Sequence, residues 1–142
     1  MAIRRLDPNT LITEDGDVVD FAGAVAGATI TVGAEAADAR AITVQLEDGQ
    51  GNAIAHRAVV DVVVLADANG DAIVGTGGST GIAIGTDGAI LATIVAKKVF
   101  KVISEADGDI DLTWTDTGTE AAYLGVILPN GRVVISDALT NA

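Results

Sequence analysis

Apolar and polar residues alternate along most of the chain from about residue 41 onward. In the segment AITVQLE, residues 41–47, Ile42, Val44 and Leu46 fall on one face and mostly polar residues on the other. A period of two residues is typical of a β-strand with one buried face. Similar segments, separated by turns rich in Gly, Asp and Asn, recur at short intervals as far as residue 136. This spacing predicts an all-β sandwich or barrel of about seven or eight strands.

Two pairs of neighbouring segments have the form of β-hairpins. Residues 81–85 and 89–96 are separated by the turn TDG, and residues 121–128 and 132–136 by Pro-Asn-Gly. Asn-Gly is a strong signal for the tip of a tight hairpin. The segment 53–66 is long enough for one bent strand or for two strands. No segment has a sustained period of 3.6 residues with caps, so we expect little helix.

The first 38 residues have a different pattern, with Pro8, several glycines and only scattered apolar residues. Residues 28–32 could form one strand, and a short strand near Val18–Phe21 is a second possibility. We interpret the remainder as an extended arm, and a frayed terminus is the alternative. The sequence therefore predicts an extended N-terminal arm, residues 1–38, followed by a β-sandwich domain, residues 39–142.

Composition describes the core and the surface of this fold. Hydrophobic residues make up 49% of the 142 residues and aromatic residues only 3%, so the core should be aliphatic. The formal net charge is −12, which argues against binding to nucleic acid or to an anionic membrane surface. The chain has no cysteine, which excludes disulfides, thiolate metal sites and cysteine nucleophiles.

The N-terminus lacks the pattern of a cleaved signal peptide. Arg4 and Arg5 are followed by LDPNTLITEDGD, which contains no apolar run. The apolar segment 21–32 is short and interrupted by glycine, so it does not have the form of a membrane span. We expect a soluble protein that is synthesised in the cytoplasm without a cleaved targeting signal.

The segment GTGGSTGIAIGTDG, residues 75–88, is the strongest candidate for a catalytic or phosphate-binding loop. Gly77, Ser79 and Gly81 have the spacing G-x-S-x-G. A nucleophile elbow needs a helix after the serine, whereas the residues that follow Ser79 are strand-like, and the single histidine, His56, precedes it. A phosphate-binding loop needs a lysine that this segment lacks. We interpret the segment as a flexible connecting loop and expect no catalytic residues.

Two acidic turns carry oxygen ligands at the spacing of calcium loops. They are DANGD, Asp67–Asp71, and DGDID, Asp107–Asp111. Neither has the glycine and the glutamate that complete an EF-hand loop, so solvated turns are the favoured interpretation and a weak calcium site stays open. His56 alone cannot complete a zinc site. We therefore expect no metal and no cofactor, and we place Trp114, which alternates with Ile110 and Leu112, in the core.

Several longer segments resemble a known class of domain. AITVQLEDGQGNAIAHRAVVDVVV, IGTDGAILATIVAKKVFKVISEADGDIDLTWTD and AYLGVILPNGRVVIS resemble bacterial and phage immunoglobulin-like domains. RRLDPNTLITEDGD at the start and SEADGDIDLTWTDTGTEAAYLGVILPNGRVVIS at the end resemble the capsid decoration (cement) proteins of tailed phages. The resemblance implies an immunoglobulin-like sandwich that binds the outside of the shell formed by the major capsid protein. It also implies a bracing role without catalysis, often as a trimer, with the arm as the gripping element.

The candidate capsid contacts lie in the arm. Its two arginines could pair with acidic groups of the capsid or be solvated, and its apolar residues could fill grooves. These candidates are Ile3, Arg4, Arg5, Leu6, Leu11 and Ile12. A rival function is an adhesion, tail or neck module that binds a host surface glycan or receptor through a calcium-dependent site. A hydrolase built on Ser79 or on a carboxylate pair is the least favoured alternative.

Overall fold

The structure, a computed structural model, describes residues 3–7, 10–13, 18–20 and 24–142. These residues form twelve β-strands and contain no helix. The strands are β1 (Ile3–Asp7), β2 (Thr10–Thr13), β3 (Val18–Asp20), β4 (Gly27–Val32), β5 (Ala39–Glu47), β6 (Val59–Leu65), β7 (Gly81–Ile84), β8 (Ala89–Val95), β9 (Val99–Ile103), β10 (Asp109–Thr115), β11 (Tyr123–Ile127) and β12 (Val133–Ala138).

The first three strands form a small antiparallel sheet of their own, in the order β1-β2-β3. Arg4 lies opposite Ile12, and Leu11 lies opposite both Arg5 and Val19. The predicted arm thus includes three strands, in which β2 pairs with both β1 and β3. It also includes β4, which pairs with β5 of the sandwich. The boundary between arm and sandwich stays a prediction. Pro8 and Phe21 lie outside the described residues.

The other nine strands form two antiparallel sheets that pack face to face. The four-stranded sheet has the order β4-β5-β10-β7, and the five-stranded sheet has the order β12-β11-β6-β9-β8. One cluster of buried aliphatic side chains from both sheets fills the space between them. This arrangement confirms the predicted all-β sandwich.

The alternation of apolar and polar residues correctly predicts which side chains lie in the core. Ile42, Val44 and Leu46 of β5 are buried, while their neighbours point to the outside of the sheet. Trp114 of β10 is 0% exposed and is the largest side chain in the core. The prediction that the single tryptophan packs inside the sandwich is therefore confirmed.

Of the two predicted hairpins, one forms and one does not. β11 and β12 pair antiparallel around a turn in which the Gly131 amide donates to the Leu128 carbonyl at 2.9 Å. The predicted pairing of residues 81–85 with 89–96 is wrong, because β7 pairs with β10 and β8 pairs with β9 in the other sheet. Residues 85–88 cross between the sheets and are held against β10, where the Asp111 amide donates to the Asp87 carbonyl at 2.9 Å.

The spatial order of the strands is close to that of a variable-type immunoglobulin domain. In that domain the sheets have strands A, B, E and D, and strands G, F, C, C′ and C″. Here β7, at the position of D, comes before β8 and β9, at the positions of C″ and C′. The middle strands are therefore connected in a different order, and the immunoglobulin-like assignment stays a prediction.

Candidate functional site

The glycine-rich loop is tied down by two carboxylates from the β10–β11 connection. Glu120 accepts hydrogen bonds from the amides of Thr76 at 2.7 Å, Gly77 at 3.1 Å and Gly78 at 2.9 Å. Asp116 accepts one from the Ser79 amide at 3.0 Å. Because these consecutive amides already donate hydrogen bonds to carboxylates, they are not available to bind a phosphate. These hydrogen bonds hold the segment in place at one end of the sandwich.

Ser79 has no arrangement with His56 that could activate it. Its Oγ accepts a hydrogen bond from the Thr117 amide at 3.0 Å. The loop lies near the C-terminal end of β6, where the Val64 amide donates to the Lys98 carbonyl, whereas His56 precedes the N-terminal end of β6. A strand of this length spans about 20 Å. The serine and the histidine thus lie at opposite ends of a strand, too far apart for proton transfer.

Three carboxylates converge on the outside of the four-stranded sheet. Asp87 comes from the loop after β7, and Asp109 and Asp111 come from β10, with one oxygen of each within 4.8 Å of the others. Oδ1 of Asp109 is buried and has no hydrogen-bond partner in the described part of the chain. Burial raises the pKa of Asp109, and the negative charges of Asp111, Asp87 and Asp107 raise it further. Carboxylate oxygens are the ligands that Ca²⁺ prefers, so these three residues could hold a divalent cation.

The spacing of the sequence identified only part of this acidic cluster. Asp109 and Asp111 belong to the predicted turn, but the third member is Asp87 rather than Asp107. No sequence signal connects Asp87 to β10, because their proximity depends on the crossing loop between the sheets. The other acidic turn behaves as a solvated turn, in which Oδ1 of Asp67 accepts the amides of Asn69 at 2.9 Å and Asp71 at 3.2 Å.

We expect Asp109→Asn to stabilise the protein by about 0.5 to 1 kcal/mol at pH 7 in the presence of a chelator. The pKa of Asp109 in the folded state is raised above its ordinary value of 3.8, so the folded protein holds a proton there more tightly than the unfolded chain. Its ionised carboxylate therefore destabilises the fold at neutral pH, and the benefit of the amide should vanish below pH 3.8. Thermal unfolding of the parent chain and of Asp109→Asn, at pH 7 and below pH 3.8, measures this difference in stability.

Asp137→Asn is the matched control for that experiment, because Asp137 is exposed on β12 and lies outside the acidic cluster. It should change stability by less than about 0.5 kcal/mol. A loss of stability in Asp109→Asn at pH 7 would contradict the expectation and would show that the ionised carboxylate is stabilised by its surroundings.

The two outer faces of the sandwich differ in chemistry. The four-stranded sheet presents mainly threonine and acidic residues, including Thr31, Thr43, Thr113 and the acidic cluster. The five-stranded sheet presents mainly aliphatic side chains, although antiparallel sheets usually carry polar residues on the face toward water. We call this surface the apolar outer face; it consists of Val59, Val63, Val99, Ile103, Ile127, Val133 and Ile135.

A groove of about 470 Å³ runs over one part of the apolar outer face. Its walls include Val63, Ile127 and Ile135, and its rim includes Ile73 and Val133, which are 52% and 49% exposed. Elsewhere on the face, an ion pair joins Lys101 Nζ to Asp61 Oδ1 at 2.8 Å. The groove is lined mainly by aliphatic side chains, and Asn69 is the one polar side chain among its lining residues.

The apolar outer face was not predicted, although the sequence contains a local pattern that indicates it. The runs VVDVVVL in β6 and YLGVI in β11 are apolar at nearly every position rather than at every second one. Such runs are typical of strands that are covered on both faces. Because only one face of this sheet packs against the described core, the same runs make its outer face apolar.

The predicted capsid contacts lie in the small N-terminal sheet. Ile3, Arg4, Arg5 and Leu6 belong to β1, and Leu11 and Ile12 belong to the neighbouring strand β2. Their backbones are therefore adjacent, and their side chains lie outside the part that the structure describes. Their role stays a prediction.

Comparisons of the chain with protein-family models, curated proteins and solved structures found no match. Within the ranges that the structure describes, no helix is long and apolar enough to cross a membrane.

Proposed function

We propose that this protein is a structural virion protein that binds the outside of a phage capsid shell and stabilises it. The observation that carries the proposal is the apolar outer face with its exposed rim residues Ile73 and Val133. In soluble proteins a contiguous apolar surface marks a contact with another macromolecule. The resemblance of the sequence to decoration proteins supports the major capsid protein as that partner. The net charge of −12 supports solubility before binding and disfavours contact with packaged nucleic acid.

In this proposal the sandwich contributes the main contact and the N-terminal segment a second one. The apolar outer face would be covered by the shell, which would remove its aliphatic side chains from water. Arg4 and Arg5 of β1 would then pair with acidic groups of the capsid protein. The tied glycine-rich loop supports a bracing role, because its hydrogen bonds hold one end of the sandwich in a fixed conformation.

A second candidate function is an adhesion, tail or neck module that binds a host surface glycan or receptor. The acidic cluster of Asp87, Asp109 and Asp111 favours it, because extracellular modules use weak calcium sites built from carboxylates. It differs from the first proposal in a measurable way, since its binding would require calcium and would be directed to cells rather than to shells.

Co-sedimentation with capsid shells that lack this protein tests the first proposal. The full chain should bind saturably, with a fixed number of copies per capsid subunit. Val133→Lys should weaken binding about tenfold or more, because a charge in an apolar contact loses its hydration. Thr31→Lys is the matched control, since it adds the same charge to an exposed position on the other sheet, and it should bind like the parent chain.

Two outcomes would contradict this proposal. If the parent chain does not bind saturably while both components stay soluble, the shell is not its partner. Calcium-dependent binding to host cells would then favour the adhesion module. If Val133→Lys and Thr31→Lys weaken binding equally, added charge rather than the apolar outer face governs the contact.

A further inference from the structure

The chain contains the dipeptide Asn-Gly twice, at Asn69–Gly70 and at Asn130–Gly131. Both pairs lie in exposed turns, the first between β6 and β7 and the second between β11 and β12. In this dipeptide the glycine nitrogen can reach the side-chain carbonyl carbon of the asparagine, because glycine has no side chain that hinders the approach. The sequence allows spontaneous deamidation at both pairs, so their surroundings decide which one reacts faster.

The two glycine amides differ in how firmly they are held. The Gly131 amide donates to the Leu128 carbonyl at 2.9 Å, which is the usual length of such a hydrogen bond. The Gly70 amide donates to the Asp67 carbonyl at 3.4 Å, which is longer than usual, so this bond is weaker. Because the glycine nitrogen must give up its hydrogen bond before it attacks, Gly70 has the lower barrier.

The two asparagine side chains differ in the same direction. Oδ1 of Asn130 accepts a hydrogen bond from the Arg132 amide at 3.0 Å, which fixes this side chain within its turn. Within residues 24–142, the exposed side chain of Asn69 has no hydrogen-bond partner. It can therefore rotate toward the Gly70 nitrogen without the loss of a hydrogen bond.

Asn69 and Gly70 both line the groove of the apolar outer face. A Cβ added to Gly70 would lie 3.2 Å from Cδ1 of Ile135 and 3.8 Å from Cδ1 of Leu65, so this turn packs against aliphatic side chains. A charge that forms at position 69 would therefore lie at the edge of an apolar surface.

We propose that Asn69 is a site of spontaneous deamidation, which places a negative charge in the groove as the protein ages. The Gly70 nitrogen loses its proton to the solvent and attacks Cγ of Asn69. The bond from Cγ to the side-chain nitrogen breaks, and that nitrogen takes up a proton and leaves as ammonia. Water then opens the succinimide: cleavage between the Gly70 nitrogen and Cγ gives aspartate, and cleavage between the same nitrogen and the main-chain carbonyl carbon gives isoaspartate.

Both products change the groove. Aspartate keeps the original backbone, whereas isoaspartate carries the chain through Cγ and so adds one carbon to the backbone before Gly70. Each product adds one negative charge to a chain whose net charge is already −12. A charge in a contact that excludes water loses its hydration, so the reaction weakens contacts made by the apolar outer face. This consequence for binding rests on the proposed function, whereas the reaction itself does not.

Site-resolved mass spectrometry of the full chain, incubated in a mildly alkaline buffer, tests the modification. The product at position 69 should form about fivefold faster than the product at position 130, which is the factor expected for one ordinary hydrogen bond. In guanidinium chloride both rates should rise and become equal, because the unfolded sites share the Asn-Gly sequence. Asn69→Gln should abolish the product at position 69 and leave the rate at position 130 unchanged, since the longer side chain closes a larger ring more slowly.

Equal rates at the two positions of the folded chain, or a faster reaction at position 130, would overturn the assignment of Asn69. A fivefold difference that persists in guanidinium chloride would show that the local sequence, rather than the fold, selects the site.

Co-sedimentation with capsid shells tests the consequence for binding. Asn69→Asp reproduces the new charge and should weaken binding about tenfold. Asn130→Asp is the matched control, since Asn130 is exposed and does not line the groove, and it should bind like the parent chain. Equal binding by Asn69→Asp and the parent chain would refute the effect on the groove. A parent chain that binds no shells would contradict the proposed function, while the two reaction rates would still confirm or overturn the modification.

Discussion

Glu120→Gln should lower the free energy of unfolding by about 2 kcal/mol at pH 7. Burial alone would raise the pKa of Glu120, but hydrogen bonds from the Thr76 hydroxyl and from the amides of Thr76, Gly78 and Gly77 outweigh it and lower that pKa from 4.5 to about 2. A shift of this size corresponds to about 3 kcal/mol, which partial exposure of the side chain reduces. Glutamine keeps one acceptor but loses the charge that strengthens all four bonds.

The pH dependence of that loss gives the sharper test. The folded-state pKa of about 2 is below the unfolded value of 4.5, so the carboxylate stabilises the fold above pH 4.5. The difference between parent and variant should shrink as the pH falls from 4.5 toward 2, because the parent becomes protonated. Denaturant unfolding at several pH values measures it.

Glu47→Gln is the matched control for Glu120→Gln. Glu47 accepts a hydrogen bond from the Thr29 hydroxyl at an exposed site, and its replacement should cost less than about 0.5 kcal/mol. A loss in Glu120→Gln that is the same at pH 2 and pH 7 would show that shape rather than charge holds the glycine-rich loop.

Asn141→Ala should destabilise the protein by about 2 to 4 kcal/mol, because it removes three hydrogen bonds from a buried site. The side chain of Asn141 is 3% exposed. Its Nδ2 donates to the carbonyls of Asp38 at 2.7 Å and Asp116 at 2.8 Å, and its Oδ1 accepts from Arg40 Nε at 3.2 Å. One amide thus joins the C-terminal residues, the turn before β5 and the connection after β10, and its loss leaves two carbonyls without this donor.

Thermal unfolding should detect this loss as a fall in Tm of about 10 °C. Asn130→Ala is the matched control, since Asn130 lies at the exposed tip of the β11–β12 hairpin and accepts one hydrogen bond from the Arg132 amide. It should lower Tm by only about 2 °C. Similar losses in the two variants would mean that the buried amide contributes no more than an exposed turn residue.

The positions of the main strands were predictable because one buried face imposes a period of two residues. The segment 41–47 lies within β5, and the Asn-Gly hairpin corresponds to β11 and β12. Membership of a sheet was not predictable in the same way. The alternation in β7 is the same whether it pairs with β8 or with β10, and the choice depends on contacts with residues much later in the chain.

The site was less predictable than the fold, for the same physical reason. The spacing of Asp109 and Asp111 was visible in the sequence, but their approach to Asp87 depends on a loop that crosses between sheets. The anchoring of the glycine-rich loop depends on Glu120, which no local motif connects to Thr76. Only the apolar outer face had a local signal, in the apolar runs of β6 and β11.

The connection of the strands also determines when this chain can fold during its synthesis. The central pairing of the four-stranded sheet joins β5 to β10, so that Thr43 contacts Asp111, 68 positions later. A ribosome adds about 5 to 20 residues per second, so several seconds pass between the synthesis of β5 and the synthesis of β10. Until β10 emerges, the aliphatic side of β5 has no completed sheet to join. The four-stranded sheet can therefore be completed only after β10 has been synthesised, so this sandwich closes late in the synthesis of its strands.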